Sequence, residues 1–137
     1  MFLLDTNVIS ELRRPERAHP NVIKWSSGIA VTQFFMSGMS LLEIERGALQ
    51  IARRDAAQGQ ILKTWIDSQI LARFEGRILP VDSVVALRCA RLRIPDPVSE
   101  GDALIAATAL VHGMTVVTRN VRDFAKTGAE VFDPWSA

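Results

Sequence analysis

Short apolar runs that stop at an acid, a serine or a threonine recur along this chain, separated by longer stretches with apolar residues at helical spacing. Phe2-Leu3-Leu4 is the first run, suited to a strand buried on both faces. Asp5-Thr6-Asn7 then offers N-cap chemistry for a helix over 8–12. Pro15 and Pro20 interrupt it, and a short helix is predicted over 22–26. Residues 31–36 read as a second strand. Ser40 caps a helical pattern over 41–57 that places Leu42, Ala48, Leu49 and Ala52 at helical spacing. Gly59 marks a turn before another helix carrying Ile61, Leu62, Trp65, Ile66 and Ile70. Residues 78–81 form a third strand, placed at an edge by Pro80. Asp82 and Ser83 cap a helix running to residue 92. Beyond the loop at 95–97, Ser99 caps a helix over 100–112 that Gly113 ends. Residues 115–118 and 130–132 supply strands four and five.

Strand–helix alternation with apolar, β-branched strands predicts an α/β fold: a three-layer α/β/α sandwich around a mostly parallel sheet of about five strands. In such sheets ligands bind beyond the carboxyl ends of the strands. The 137 residues, 48% hydrophobic and 23% charged, suit one folded domain over 1–137 that needs no disulfide. Cys89, the sole cysteine, reads as a small buried hydrophobe and fits a reducing compartment. No signal peptide precedes Asp5, and no window is apolar for long enough to span a bilayer, so a soluble cytoplasmic protein is expected. A net charge of +1 provides no global attraction for nucleic acid. The basic residues are nearly all arginine, which suits phosphate contacts as well as solvated helix faces.

Acids cluster where the strands end. Asp5 follows the first strand, and it reads either as a helix cap or as a ligand. Glu43 follows the second strand, but Ser40-Leu41-Leu42-Glu43 also fits a capping box. Asp102 opens the helix before the fourth strand and fits a Ser99-x-x-Asp102 cap equally well. The helix that follows is almost wholly apolar, which turns Asp102 toward the crevice holding Asp5. Asp123 comes five residues after the fourth strand, with Asn120 as a second oxygen donor. Carboxylates gathered at one sheet edge repel one another unless a hard cation resolves them, and Mg²⁺ or Mn²⁺ prefers such oxygens. His19 and His112 sit in no zinc-spaced motif, and neither a Gly-rich phosphate loop nor a nucleophile elbow is present. Metal-assisted phosphodiester hydrolysis fits this inventory best.

The opening Leu3-Leu4-Asp5-Thr6-Asn7-Val8-Ile9-Ser10-Glu11-Leu12 resembles that of PIN-domain ribonuclease toxins of the VapC type, including their FitB-like branch. Ser40-Leu41-Leu42-Glu43-Ile44-Glu45-Arg46-Gly47 is similar to the family's second motif, and the run from Asp102 to Ala109 to its third. Val116-Val117-Thr118-Arg119-Asn120 with Asp123-Phe124 resembles the fourth, and Pro134-Trp135 a common ending. The resemblance implies a Mg²⁺- or Mn²⁺-dependent endoribonuclease that cleaves RNA with metal-activated water. It implies Asp5 and Asp102 as principal ligands, Glu43 beside them or through water, and either Asp123 or Asn120 completing the site. Many relatives carry an acid where this chain has Asn120. Asn7 and Thr118 would orient ligands or the scissile phosphate, and Arg119 would contact substrate. A small VapB-like antitoxin would hold the toxin inactive. DNA would be met only through that antitoxin, and a homodimer or larger toxin–antitoxin complex is expected, without membrane contact.

Two other readings are compatible with parts of the pattern. A haloacid-dehalogenase-like phosphatase would use Asp5 as nucleophile, but it needs a second aspartate where Asn7 stands. A non-catalytic PIN-fold module would bind protein or RNA and draws its argument from Asn120.

Overall fold

A computed structural model describes residues 1–95 and 97–137. The predicted loop at 95–97 includes Asp96, which lies outside the described residues. Five strands, β1 (Phe2–Leu4), β2 (Phe34–Ser37), β3 (Ile78–Leu79), β4 (Thr115–Val117) and β5 (Val131–Phe132), form one sheet in the order β3-β2-β1-β4-β5. Every pairing is parallel, with Phe2 opposite both Phe34 and Thr115. The chain steps outward from β1 to β3, then returns to the other side of β1 as β4. The strand order therefore reverses between β1 and β4, and the crevice beyond their carboxyl ends is where such sheets place a ligand.

The period of two in the strands feeds two cores. Leu4, Phe34, Met36 and Val117 face one side, where they pack with α1 (Thr6–Glu11), α2 (Pro20–Ser27), α3 (Gly38–Ala52) and α4 (Ala56–Trp65). Leu3 and Val116 face the other, against α6 (Glu100–His112) and α7 (Val121–Phe124). The α6 helix is lined with Ala103, Ala106, Ala107 and Ala109, all fully buried, which lets it lie between the sheet and α5 (Ser83–Leu92). Cys89 belongs to that α5–α6 contact, buried as its surroundings in the sequence suggest. Gly113 ends α6 with φ of +67°, a left-handed turn that favours glycine. Edge position suits β3, and Pro80 falls just beyond it.

Several boundaries differ from the sequence reading: the first helix already starts at Thr6 under Asp5, and the third strand ends at Leu79, before Pro80, rather than at residue 81. Residues 31–33 form a 3₁₀ turn, and the second strand starts only at Phe34, where pairing with Phe2 begins. The Arg77 guanidinium takes the carbonyls of Val31 and Phe34, satisfying backbone that a strand would have paired. The long helix begins at Gly38 under a Ser37 cap, not at a Ser40 cap: Ser37 Oγ accepts the Met39 N–H at 3.0 Å. It ends at Ala52 rather than near residue 57, because Asp55 caps a new helix by accepting the Gln58 N–H. Gly59 lies inside that new helix and is no turn. An added Cβ there would fall 2.4 Å from Ala52 Cβ, so the glycine marks where α4 crosses α3. The last turn continues as a π-helix over Ile66–Leu71, which buries both Ile66 and Ile70. Among the described residues no helix is long and apolar enough to cross a membrane.

Candidate active site

Asp5 leaves β1 at the switch point. Its N–H continues the sheet to Val117 O at 2.9 Å, while its side chain caps α1 by accepting the Thr6 N–H at 2.8 Å. The other carboxylate oxygen accepts the Thr118 hydroxyl at 2.7 Å and the Asn7 amide at 3.3 Å. Cap and candidate ligand are thus one residue, and only 6% of it is exposed. Burial pushes its carboxyl above the ordinary aspartate range, against the pull of the Thr118 and Thr6 hydrogen bonds, and the charges of Asp102 and Glu43 push it further the same way.

Each neighbouring acid is held by its own donor. Thr6 Oγ1 donates to Glu43 Oε1 at 2.8 Å, tying α1 to α3. Ser40 is buried inside the first turn of α3 with its hydroxyl unpartnered, so the capping-box reading of Glu43 fails and the carboxylate is free to face the crevice. Glu43 Oε2 lies 3.7 Å from where a Cβ on Gly101 would stand, next to Asp102. For Asp102 both readings hold together. Ser99 Oγ accepts the Asp102 N–H at 3.3 Å and donates to Asp102 Oδ2 at 2.8 Å, so the helix start fixes the carboxylate. Burial raises the Asp102 carboxyl; the Ser99 bond lowers it and the Asp123 charge raises it again. Asp123 sits exposed on α7, near enough for its charge to be felt there.

Asn7 and Thr118 form the frame beneath these acids. Asn7 bridges Asp5 Oδ2 and Thr118 Oγ1 through its amide nitrogen, and its oxygen accepts the Arg119 N–H at 3.3 Å. Thr118 Oγ1 also accepts the Asn120 N–H at 3.0 Å. The Asn120 side chain makes no capping bond to α7 and stays exposed. His19 caps α2 through Nδ1 and His112 ends α6, so neither joins the site.

Among the described residues the ion pairs are Lys63–Asp67 and Arg93–Glu100, so no lysine or arginine neutralises Asp5, Glu43, Asp102 or Asp123. No three His, Cys, Asp or Glu side chains among the described residues close into a ready metal cage. Mg²⁺ does not require one, since it is commonly held through one or two carboxylates and keeps several waters. A buried carboxylate beside the charges of two more, with neither His19 nor His112 nor Cys89 joining it, fits a hard divalent cation.

Sequence reasoning missed two features. Thr6 gives no local sign of its bond to Glu43, which depends on where α3 lands. A cavity of about 410 Å³ opens between α1, α2 and the π turn, lined by Ile9, Leu12, Trp65 and Ile70 with Arg13 and Arg73. None of the four acids lines it. Of the apolar residues that the sequence places on the helix carrying Trp65, Ile61 stands exposed, while Ile70 belongs to the core that backs this cavity.

Residues 2–130 match the family model described as PIN domain. The toxin FitB of Neisseria gonorrhoeae is 34% identical over 98% of this chain and 99% of its own length. A VapC ribonuclease of Sinorhizobium fredii is 31% identical over 98% of each chain. The crystal structure of FitAcB from Neisseria gonorrhoeae superposes with a TM-score of 0.89 at 33% identity, covering 100% of both chains.

Proposed function

Because the chain belongs to the PIN-domain family, we propose that it is a divalent-metal-dependent endoribonuclease acting as the toxin of a type II toxin–antitoxin pair. The observation that carries this reading is the buried Asp5 carboxylate at the β1–β4 switch point, charged against Glu43 and Asp102 and left without a cation of the protein's own. Asp5 and Asp102 would hold the ion, with Glu43 beside them or through water, and Asp123 or Asn120 would complete the shell. A bound Mg²⁺ or Mn²⁺ supplies a more acidic water and offsets charge on the phosphate being cleaved.

The chain's own residues do the positioning. Thr118 and Asn7 fix one Asp5 oxygen, Thr6 fixes Glu43 and Ser99 fixes Asp102, so each carboxylate is oriented before substrate arrives. The apolar backing from Leu4, Val117 and α6 keeps the crevice floor dry and strengthens charge interactions within it. Asn7 occupies the place where the phosphatase reading needs an acid, and both ends of its amide are engaged in the frame. A nuclease of this kind endangers the cell that makes it, which gives the antitoxin its role. The apolar cavity bearing Arg13 and Arg73 suits an apolar segment carrying acids from that partner. DNA would be reached only through the antitoxin.

The test uses antitoxin-free protein, a panel of structured RNAs and Mg²⁺ or Mn²⁺, with EDTA and Asp5→Ala as controls. Cleavage that requires both the metal and Asp5 is the expected result. Intact RNA throughout, from folded protein that binds no divalent metal, would favour the non-catalytic module instead.

A further inference from the structure

Arg119 directly follows Thr118, the residue that holds Asp5, and its backbone N–H is pinned by Asn7. Its side chain turns outward, exposed, with the guanidinium carbon 5.4 Å from the centre of the Trp135 ring. No carboxylate pairs with it among the described residues, and no side-chain hydrogen bond occupies it. Arg77 is spent on backbone carbonyls and Arg93 on Glu100 and the Val98 carbonyl, while Arg13 makes the same kind of stack on Trp65 but beside the apolar cavity rather than the acids.

Trp135 is a firm seat. Its N–H is held by Asp133 Oδ1 at 2.9 Å, and its carbonyl accepts the Asn21 amide at 2.7 Å. Its ring packs on the core cluster that contains Leu4 and Val117, the last residues of β1 and β4. A guanidinium resting on an aromatic face keeps its N–H groups in its own plane, directed away from the ring and open to an anion. Such a group is preorganised at little entropic cost, and its planar fork matches the geometry of a phosphate.

A strand of RNA crossing four carboxylates meets repulsion at every phosphate except the one under attack. Resting on the nuclease reading above, we propose that Arg119, seated on Trp135, receives an RNA phosphate adjacent to the scissile one and so sets the register of the strand across the Asp5–Asp102 crevice. Trp135 acts through Arg119 as a positioning residue.

A contact present in both ground and transition states changes KM and leaves kcat unaltered. Arg119→Ala should therefore raise KM for a short single-stranded RNA about ten- to a hundredfold, with kcat close to wild type. The salt dependence of RNA binding, read in the cleavage-dead Asp5→Ala background, should lose about 0.7 of its logarithmic slope, one phosphate's share for a single strand. Arg119→Lys should recover part of the loss. Trp135→Phe should stay near wild type, and Trp135→Leu should raise KM without adding to the effect of Arg119→Ala. An RNA with an uncharged methylphosphonate beside the cleaved linkage should bind wild type as poorly as normal RNA binds Arg119→Ala. If Arg119→Ala cleaves with unchanged KM and salt slope, the inference is overturned while the nuclease stands. If wild type neither binds nor cleaves RNA, the nuclease reading falls and takes this one with it.

Discussion

Thr118 Oγ1 donates a 2.7 Å hydrogen bond to Asp5 Oδ2, joining the tips of two neighbouring parallel strands across 113 positions of sequence. The bond orients the buried carboxylate and favours its ionised form. Thr118→Val keeps the shape but removes that donor, and it leaves the Asn120 N–H without its acceptor and the Asn7 amide with Asp5 Oδ2 alone. We expect a loss of about 1–3 kcal/mol in stability and about tenfold in Mn²⁺ affinity, both largely restored in Thr118→Ser. Calorimetric Mn²⁺ titration decides the matter; an unchanged affinity in Thr118→Val would show that the hydroxyl has no part in ordering the site.

The raised Asp5 carboxyl has a signed consequence for stability. Burial makes the folded protein hold this proton more tightly than the unfolded chain does. Between the ordinary aspartate range and the raised folded value, the native state therefore carries the extra proton, and stability falls as pH rises through that window. Above it the cost is fully present. Metal-free protein should thus gain thermal stability as pH is lowered through that window, and Asp5→Asn should gain less. Saturating divalent metal should flatten the wild-type profile, because metal replaces the proton. Parallel profiles for wild type and Asp5→Asn would contradict this account.

Ser37, one turn before the second motif, takes the cap that the spacing assigns to Ser40. Ser37→Ala removes the α3 cap and should cost about 1 kcal/mol in urea denaturation. Ser40→Ala deletes a buried hydroxyl that has no partner and should be neutral or stabilising. Larger destabilisation from Ser40→Ala than from Ser37→Ala would restore the capping box and weaken the case for Glu43.

Asp102→Asn separates the two duties of its residue. The amide oxygen still accepts the Ser99 hydroxyl, so α6 should start normally and circular dichroism should match wild type. Divalent-metal binding and growth inhibition should both disappear. A fully toxic Asp102→Asn variant would show that the carboxylate is only a cap.

Much of this was legible where physics acts locally. Apolar runs ending in Asp5 and Thr118 mark the strand tips, and parallel pairing then brings those tips together. Asp82, Ser99 and Gly113 announce their helix ends because capping is decided within a turn. Ser37 and Ser40 stand one helical turn apart; the S-x-x-E spacing points to Ser40, whereas the helix starts a turn earlier, at a buried serine with no acid three residues on. The bond from Thr6 to Glu43 and the seating of Arg119 on Trp135 depend on chain segments 37 and 16 residues apart, so no local pattern records them. Gly59 misled for a related reason: a glycine needed for a turn and one needed for a helix crossing look the same in sequence.

That ambiguity predicts opposite outcomes for two helical glycines. Alanine is normally worth about 1 kcal/mol over glycine inside a helix. At Gly101 an added Cβ would meet Met39 Cε at 3.5 Å and Glu43 Oε2 at 3.7 Å, ordinary contacts, so Gly101→Ala should stabilise by up to about that amount. At Gly59 the same atom would sit 2.4 Å from Ala52 Cβ and 2.6 Å from its Cα, where neither helix can yield without moving backbone. Overpacking outweighs propensity there, and Gly59→Ala should destabilise by about 1–3 kcal/mol. Pairing it with Ala52→Gly removes the Cβ but leaves the 2.6 Å approach to Cα, so the double variant should recover only a small part of the loss. Denaturant midpoints of the three proteins measure the coupling directly. Additive effects would mean that α3 and α4 do not cross at this pair.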